Sequence, residues 1–76
     1  GTSGVSVSQG FTTPDPEAAA LKALAASRAQ SVYMLADSSK FGRVTAATIL
    51  PLDGAQIITD QMPERKYLDS TDVIAV

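Results

Sequence analysis

The chain has 76 residues, a formal net charge of −2 and 45% hydrophobic against 18% charged residues, a globular composition with room for one thin core. Its six basic side chains are scattered, which excludes the basic stripe of a surface that neutralises nucleic-acid backbones. With no cysteine and no histidine, disulfide frameworks, zinc centres, Cys/His pairs and a Ser-His-Asp triad are excluded, leaving carboxylate, lysine and hydroxyl chemistry.

Residues 1–13 are rich in glycine, serine and threonine and read mainly as loop, with a short alternation at Val5 and Val7 compatible with a brief strand. Asp15, Pro16 and Glu17 then supply a cap, a first-turn proline and an acidic first turn, predicting a helix over 16–29. Its apolar stripe is expected at Ala18, Leu21, Leu24 and Ala25, small enough for close approach to a sheet. The run 31–37, "SVYMLAD", has strand length and no polar alternation, as expected of a central strand covered on both faces, with Tyr33 and Met34 in the core.

"VTAATILPL" is ambiguous between strand and helical turn until Pro51 and Gly54 break it. "AQIITD" repeats the earlier pattern, an apolar run into an aspartate, and predicts a buried strand over 56–59. A short helix beginning near Pro63 and a closing strand in "DVIAV" complete the order. Alternating strands and helices indicate a layered α/β, partly Rossmann-like fold with a largely parallel sheet. If the strands ending at Asp37 and Asp60 are parallel, both aspartates emerge at the carboxyl edge, where open α/β folds build ligand sites.

The segment 37–42, "DSSKFG", has two readings. Its turn N–H groups, two hydroxyls and the Lys40 ammonium can converge on a phosphate or sugar oxygen. Alternatively Asp37 makes an Asx-turn, Lys40 is a solvated charge and Gly42 supplies a positive φ. Lys22 either adds a second cation or is a solvated helix lysine, and Thr59 and Asp60 either bond ligand hydroxyls or cap a turn. Phe41 is expected to pack. No apolar run is long enough to span a bilayer and no signal segment opens the chain, so no membrane contact and a cytoplasmic location are expected. The missing start methionine suits a domain cut from a longer protein.

The order "GTSGVSVSQGFTT", "EAAALK", "LADSSKFGR", "IITD" resembles the carboxyl-terminal half of the effector-sensing domain of DeoR-family transcriptional regulators, over essentially the entire chain. Asp37, Ser39, Lys40, Phe41 and Gly42 carry its most specific part, supported by Thr59 and Asp60. The resemblance implies the sugar-phosphate isomerase and CoA-transferase superfold and a sensor of phosphorylated sugars that modulates operator binding by a repressor. It implies contact with DNA only through an amino-terminal helix-turn-helix, which these residues lack. Also lacking is the first half of the effector domain, with its Asp-x-Gly-Thr-Thr phosphate loop.

Carried over, the resemblance places Asp37, Ser39, Lys40 and Asp60 in or beside the effector pocket, with Lys22 and the loops of Gly4 and Gly10 lining it. The family's glutamate four residues before the helix lysine is replaced by Ala18, with Glu17 one step, about 100°, away. No catalysis, cofactor or metal is therefore expected, and association with another copy is. The alternatives are a fragment of a sugar-phosphate isomerase-like enzyme, with Lys40 on the phosphate, and a receiver-type module phosphorylated on Asp37.

Overall fold

The computed structural model describes residues 1–76 and resolves them into two small sheets joined by one helix and several tight turns. The amino-terminal segment is not mainly loop. It forms a hairpin of β1 (Gly4–Ser6) and β2 (Gly10–Thr13), with Val5 opposite Phe11. The Ser6 hydroxyl accepts from the Gln9 N–H at 3.0 Å, and Gly10, at φ +73°, turns the chain into β2. Loop-like composition hid the strand because threonine hydroxyls are satisfied inside it. The Thr2 hydroxyl donates to the carbonyls of Gly4 and Thr12 at 3.0 and 2.9 Å, and the Thr12 hydroxyl accepts from the Thr45 N–H at 3.0 Å.

Helix α1 (Pro16–Ser27) starts where its cap chemistry indicates: the Asp15 carboxylate accepts from the Glu17 N–H at 2.9 Å and Pro16 occupies the first turn. Its last turn tightens, with the Arg28 and Ala29 N–H groups reaching back three residues to Ala25 and Ala26. The buried face differs from the expected stripe. Of that stripe only Ala18 is half-buried; Ala19 is buried and Ala23 and Ala26 are half-buried, whereas Leu21 and Leu24 are 69% and 51% exposed and Ala25 is exposed. Alanines at i, i+4 and i+7 let the helix backbone lie close on β2 and β4, a position leucines would prop open.

Strand β3 (Tyr33–Leu35) corrects the expectation of a central strand. It is an edge strand of a parallel sheet ordered β3-β5-β6, with β5 (Gln56–Thr59) in the middle and β6 (Val73–Ala75) at the other edge. Met34 points into the core, but Tyr33 and Leu35 are 52% and 59% exposed, so the continuous apolar run covers one face only in this chain. The sheet is also not largely parallel throughout. The ambiguous "VTAATILPL" supplies β4 (Ala47–Leu50), antiparallel to β2, and an antiparallel sheet β1-β2-β4 results, with a register shift between Phe11 and Thr12.

The ten-residue core draws on both sheets and both helices and includes Val5, Phe11, Ala19, Met34, Ile49, Ile57 and Tyr67. Tyr67 comes from α2 (Arg65–Leu68), a single turn starting two residues beyond Pro63. Phe41 does pack: its ring meets the Tyr67 ring edge-on at 4.9 Å and 74°, which ties the turn after β3 to the helix after β5.

Candidate functional site

Parallel pairing of β3 with β5 sets Leu35 beside Ile58, and the Ala36 N–H continues the ladder to the Ile58 carbonyl at 3.0 Å. The next residues out are Asp37 and Asp60. Both aspartates therefore leave the sheet at its carboxyl edge, as the repeated pattern of an apolar run into aspartate predicts. Between them opens a cleft of about 420 Å³, lined by Thr2, Ala36, Asp37, Lys40, Thr59 and Asp60 together with Leu35, Ile58 and Val76.

A single turn of 3-10 helix, Ser38–Lys40, forms one wall. The Asp37 carboxylate caps it, accepting from the Ser39 N–H at 2.9 Å and from the Ser39 hydroxyl, while the Lys40 ammonium stands 3.8 Å from its other oxygen. The Ser39 hydroxyl and then its N–H hold the Asp37 carboxyl below its ordinary value of 3.8, outweighing the opposing effect of burial, with smaller help from the charges of Lys40 and Arg43. Across the cleft the Asp60 carboxylate accepts from the Ser38 N–H at 2.7 Å, the Ser38 hydroxyl at 3.4 Å and the Thr59 hydroxyl at 3.3 Å. One carboxylate thus bridges the ends of neighbouring strands.

The turn does not present a cradle of backbone donors. The N–H groups of Ser38 and Ser39 go to the two aspartates, that of Lys40 to the Asp37 carbonyl at 3.0 Å, and that of Gly42 to the Val5 carbonyl at 2.8 Å. Gly42 takes φ +84°, and the Asx-turn geometry of Asp37 is present. What remains for a ligand on the side chains is the Lys40 ammonium and spare acceptor capacity on the aspartates.

A depressed folded-state pKa means that the ionised Asp37 stabilises its turn fully above the ordinary carboxyl value and that this contribution disappears as pH falls through the lowered folded value. The Ser39 amide resonance, followed by NMR, is expected to titrate with a midpoint below 3.8 and to lose that step in Asp37→Asn. A midpoint at or above 3.8 contradicts the hydrogen-bonded geometry.

Of the residues singled out in the sequence, Asp37, Lys40 and Asp60 meet at the cleft, and Ser39 stands behind it on Asp37. Lys22, Gly4 and Gly10 sit apart. The Lys22 ammonium donates to the Gly1 carbonyl at 2.7 Å and borders a separate, mostly apolar groove of about 320 Å³ between α1 and β3. Gly4 is buried in β1, where a Cβ would stand 2.4 Å from the Arg43 carbonyl oxygen, and Gly10 belongs to the hairpin. Thr2 is a lining residue that its serine- and glycine-rich surroundings gave no signal for. Its hydroxyl is held by the Gly4 and Thr12 carbonyls of the hairpin, and only the tertiary fold brings that end of the hairpin to the cleft.

Comparison with known proteins places this geometry in a family. Residues 1–61 match the model of the DeoR C-terminal sensor domain. Over 67 residues, 88% of this chain, the sequence is 45% identical to the uncharacterized HTH-type transcriptional regulator FruR of Bacillus subtilis (strain 168). The chain spans about a quarter, 27%, of that relative's length. No helix is long and apolar enough to cross a membrane. The cleft where Asp37, Lys40 and Asp60 converge is built by the motifs that lie within the matched residues, and the chain belongs to the DeoR C-terminal sensor domain family.

Proposed function

We propose that this chain senses a phosphorylated sugar for a transcriptional regulator, a repressor of sugar metabolism, and that the cleft at the carboxyl edge of β3 and β5 contributes to the effector site. The observation that carries the reading is the meeting of Asp37, Lys40 and Asp60 over one cleft, from segments 20 or more residues apart. Charged groups of both signs beside the threonine hydroxyls offer acceptors and donors to a polyhydroxylated anion. Effector binding shifts the population of the sensor between two states, and the difference in their operator affinity is the regulatory output. DNA contact belongs to the helix-turn-helix part of the regulator. The parent sensor domain is read as an isomerase-like superfold whose carboxyl-terminal part is this chain.

Nothing in the geometry favours the isomerase-like alternative. Glu17 lies in the first turn of α1 and outside the residues lining the cleft, so no carboxylate from that helix reaches Lys40.

Thermal unfolding of the intact protein against a panel of hexose and pentose monophosphates tests the reading. A ligand at a hundred times its Kd stabilises the protein by about 2.7 kcal/mol. A shift for at least one sugar phosphate, reduced in Lys40→Ala, is expected. No shift across the panel, together with operator binding indifferent to every member, defeats the proposal. Light scattering on the same preparation tests the association with another copy that the thin core leads us to propose.

A further inference from the structure

The N–H donors of the turn that walls the cleft are already taken. The Ser38 and Ser39 N–H groups are held by Asp60 and Asp37, and those of Lys40 and Gly42 by backbone carbonyls. The Lys40 ammonium remains, and its charge is offset by Asp37 at 3.8 Å. Asp60 has no such counterion, since neither ion pair of the chain includes it. Two carboxylates therefore face one ammonium across the cleft. Arg43, whose charge also acts on Asp37, is not among the lining residues.

The two oxygens of Asp60 are unequally used. Oδ1 accepts from the Ser38 N–H at 2.7 Å and from the Thr59 hydroxyl at 3.3 Å, whereas Oδ2 has only the Ser38 hydroxyl at 3.4 Å. A carboxylate oxygen with room for a further, shorter bond in a cleft open to ligands seeks a donor. The hydroxyl groups of a sugar are donors, whereas a phosphate dianion is acceptor only and repelled by the charge.

We infer that Asp60 is a specificity-determining residue: the cleft reads the hydroxyl-bearing part of the effector through Asp60 Oδ2, and the phosphate is held away from it. This rests on the sugar-phosphate reading above and specifies which half of that ligand these residues recognise. The same Asp60 fixes the Ser38–Lys40 turn through the Ser38 N–H, so recognition of a hydroxyl is linked to the placement of Lys40.

The two possible ligand orientations give opposite signs when the charge is removed. Isothermal titration of the intact protein and of Asp60→Asn is carried out with the hexose and pentose monophosphates of the panel and with inorganic phosphate alone. The expected result is an affinity for the sugar phosphate about ten-fold to a hundred-fold weaker in Asp60→Asn, the range for a hydrogen bond to a charged group, with no tightening of inorganic phosphate. Equal or tighter binding of the sugar phosphate by the variant, or tightening of inorganic phosphate, overturns the inference, because relief of repulsion is the mark of a phosphate beside the carboxylate.

A second measurement needs no variant. In the wild-type protein the amide resonances of Ser38 and Thr59 are expected to shift with the phosphate-free sugar at high concentration and not with inorganic phosphate. The reverse pattern overturns the inference. Failure of the wild-type protein to bind any sugar phosphate is a different outcome, which removes the underlying functional reading along with this one.

Discussion

Phe11→Ala is expected to lower the stability of the protein by about 3–5 kcal/mol, the usual cost of deleting a fully buried aromatic ring. Phe11 is 0% exposed and one of the largest fully buried side chains, set in β2 opposite Val5 on one side and Leu50 on the other. At roughly 0.05–0.15 kcal/mol per residue, a unit of this size holds only about 4–11 kcal/mol in total. The loss therefore takes about a quarter or more of the whole, and in the lower part of that range it abolishes the native state. Urea unfolding followed by far-ultraviolet circular dichroism gives the answer. A shift within about 0.5 kcal/mol, as for a surface substitution, shows that the core is not centred on β2.

Gly10→Ala carries the second large effect, expected at about 2–5 kcal/mol. Two costs coincide at this glycine. Its φ of +73° puts an L side chain in the left-handed region, worth about 1–2 kcal/mol. The new Cβ would also stand 2.2 Å from the Leu50 carbonyl oxygen and 2.9 Å from the Pro51 Cα, so backbone must move, an overpacking cost of about 1–3 kcal/mol. Gly42 separates the two terms. At φ +84° it has the same backbone demand, but nothing lies within 4 Å of its Cβ position, so Gly42→Ala is expected to cost only the conformational term of about 1–2 kcal/mol. Denaturant midpoints of the two variants side by side decide the matter, and equal losses contradict the close packing of the hairpin on the turn after β4.

This pair also bears on what Gly10 is for. The family resemblance assigns its loop to the effector pocket, whereas the hairpin contacts supply a packing reason for a glycine there. Weakened effector binding in Gly10→Ala at unchanged stability favours the first assignment, and lost stability favours the second. Gly4 is similar, since its Cβ would meet the Arg43 carbonyl and the Thr12 hydroxyl at 2.4 and 2.6 Å.

What was legible in the sequence depended on how far apart the interacting groups are. The start of α1 was legible because Asp15, Pro16 and Glu17 act within one turn, and β5 because three residues of high strand propensity, Ile57, Ile58 and Thr59, run into Asp60 with no competing pattern. The juxtaposition of Asp37 with Asp60 followed from one topological assumption, that β3 and β5 are parallel, and the pairing of Leu35 with Ile58 bears that assumption out. The helical face was not legible. A poly-alanine helix has almost no amphipathic contrast, so side-chain size rather than hydrophobicity selected Ala19, Ala23 and Ala26 over Leu21 and Leu24.

The brief strand at Val5 was legible, but its pairing with β2 into a hairpin was not, for a related reason. Serine, threonine and glycine signal loops only when their polar groups are left to water, and here the Thr2 and Thr12 hydroxyls find partners across 10 and 33 residues of sequence. The site shows the same division. Residue types and order in "DSSKFG" pointed to polar chemistry at a sheet edge, but whether the turn's N–H groups are open to an anion depends on Asp60, which lies 22 residues beyond Ser38.

By itself, then, the sequence determined the helix start, the strands that run into aspartate, the absence of thiol and imidazole chemistry and the family, because each of these is written in neighbouring residues or in composition. Only the tertiary structure decided which face of α1 is buried, that β3 is an edge, that the chain splits into an antiparallel and a parallel sheet, and that the turn's donors are already spent. Those outcomes depend on pairings between distant segments, whose free energy is set by packing and hydrogen-bond satisfaction in three dimensions and leaves little trace in local pattern.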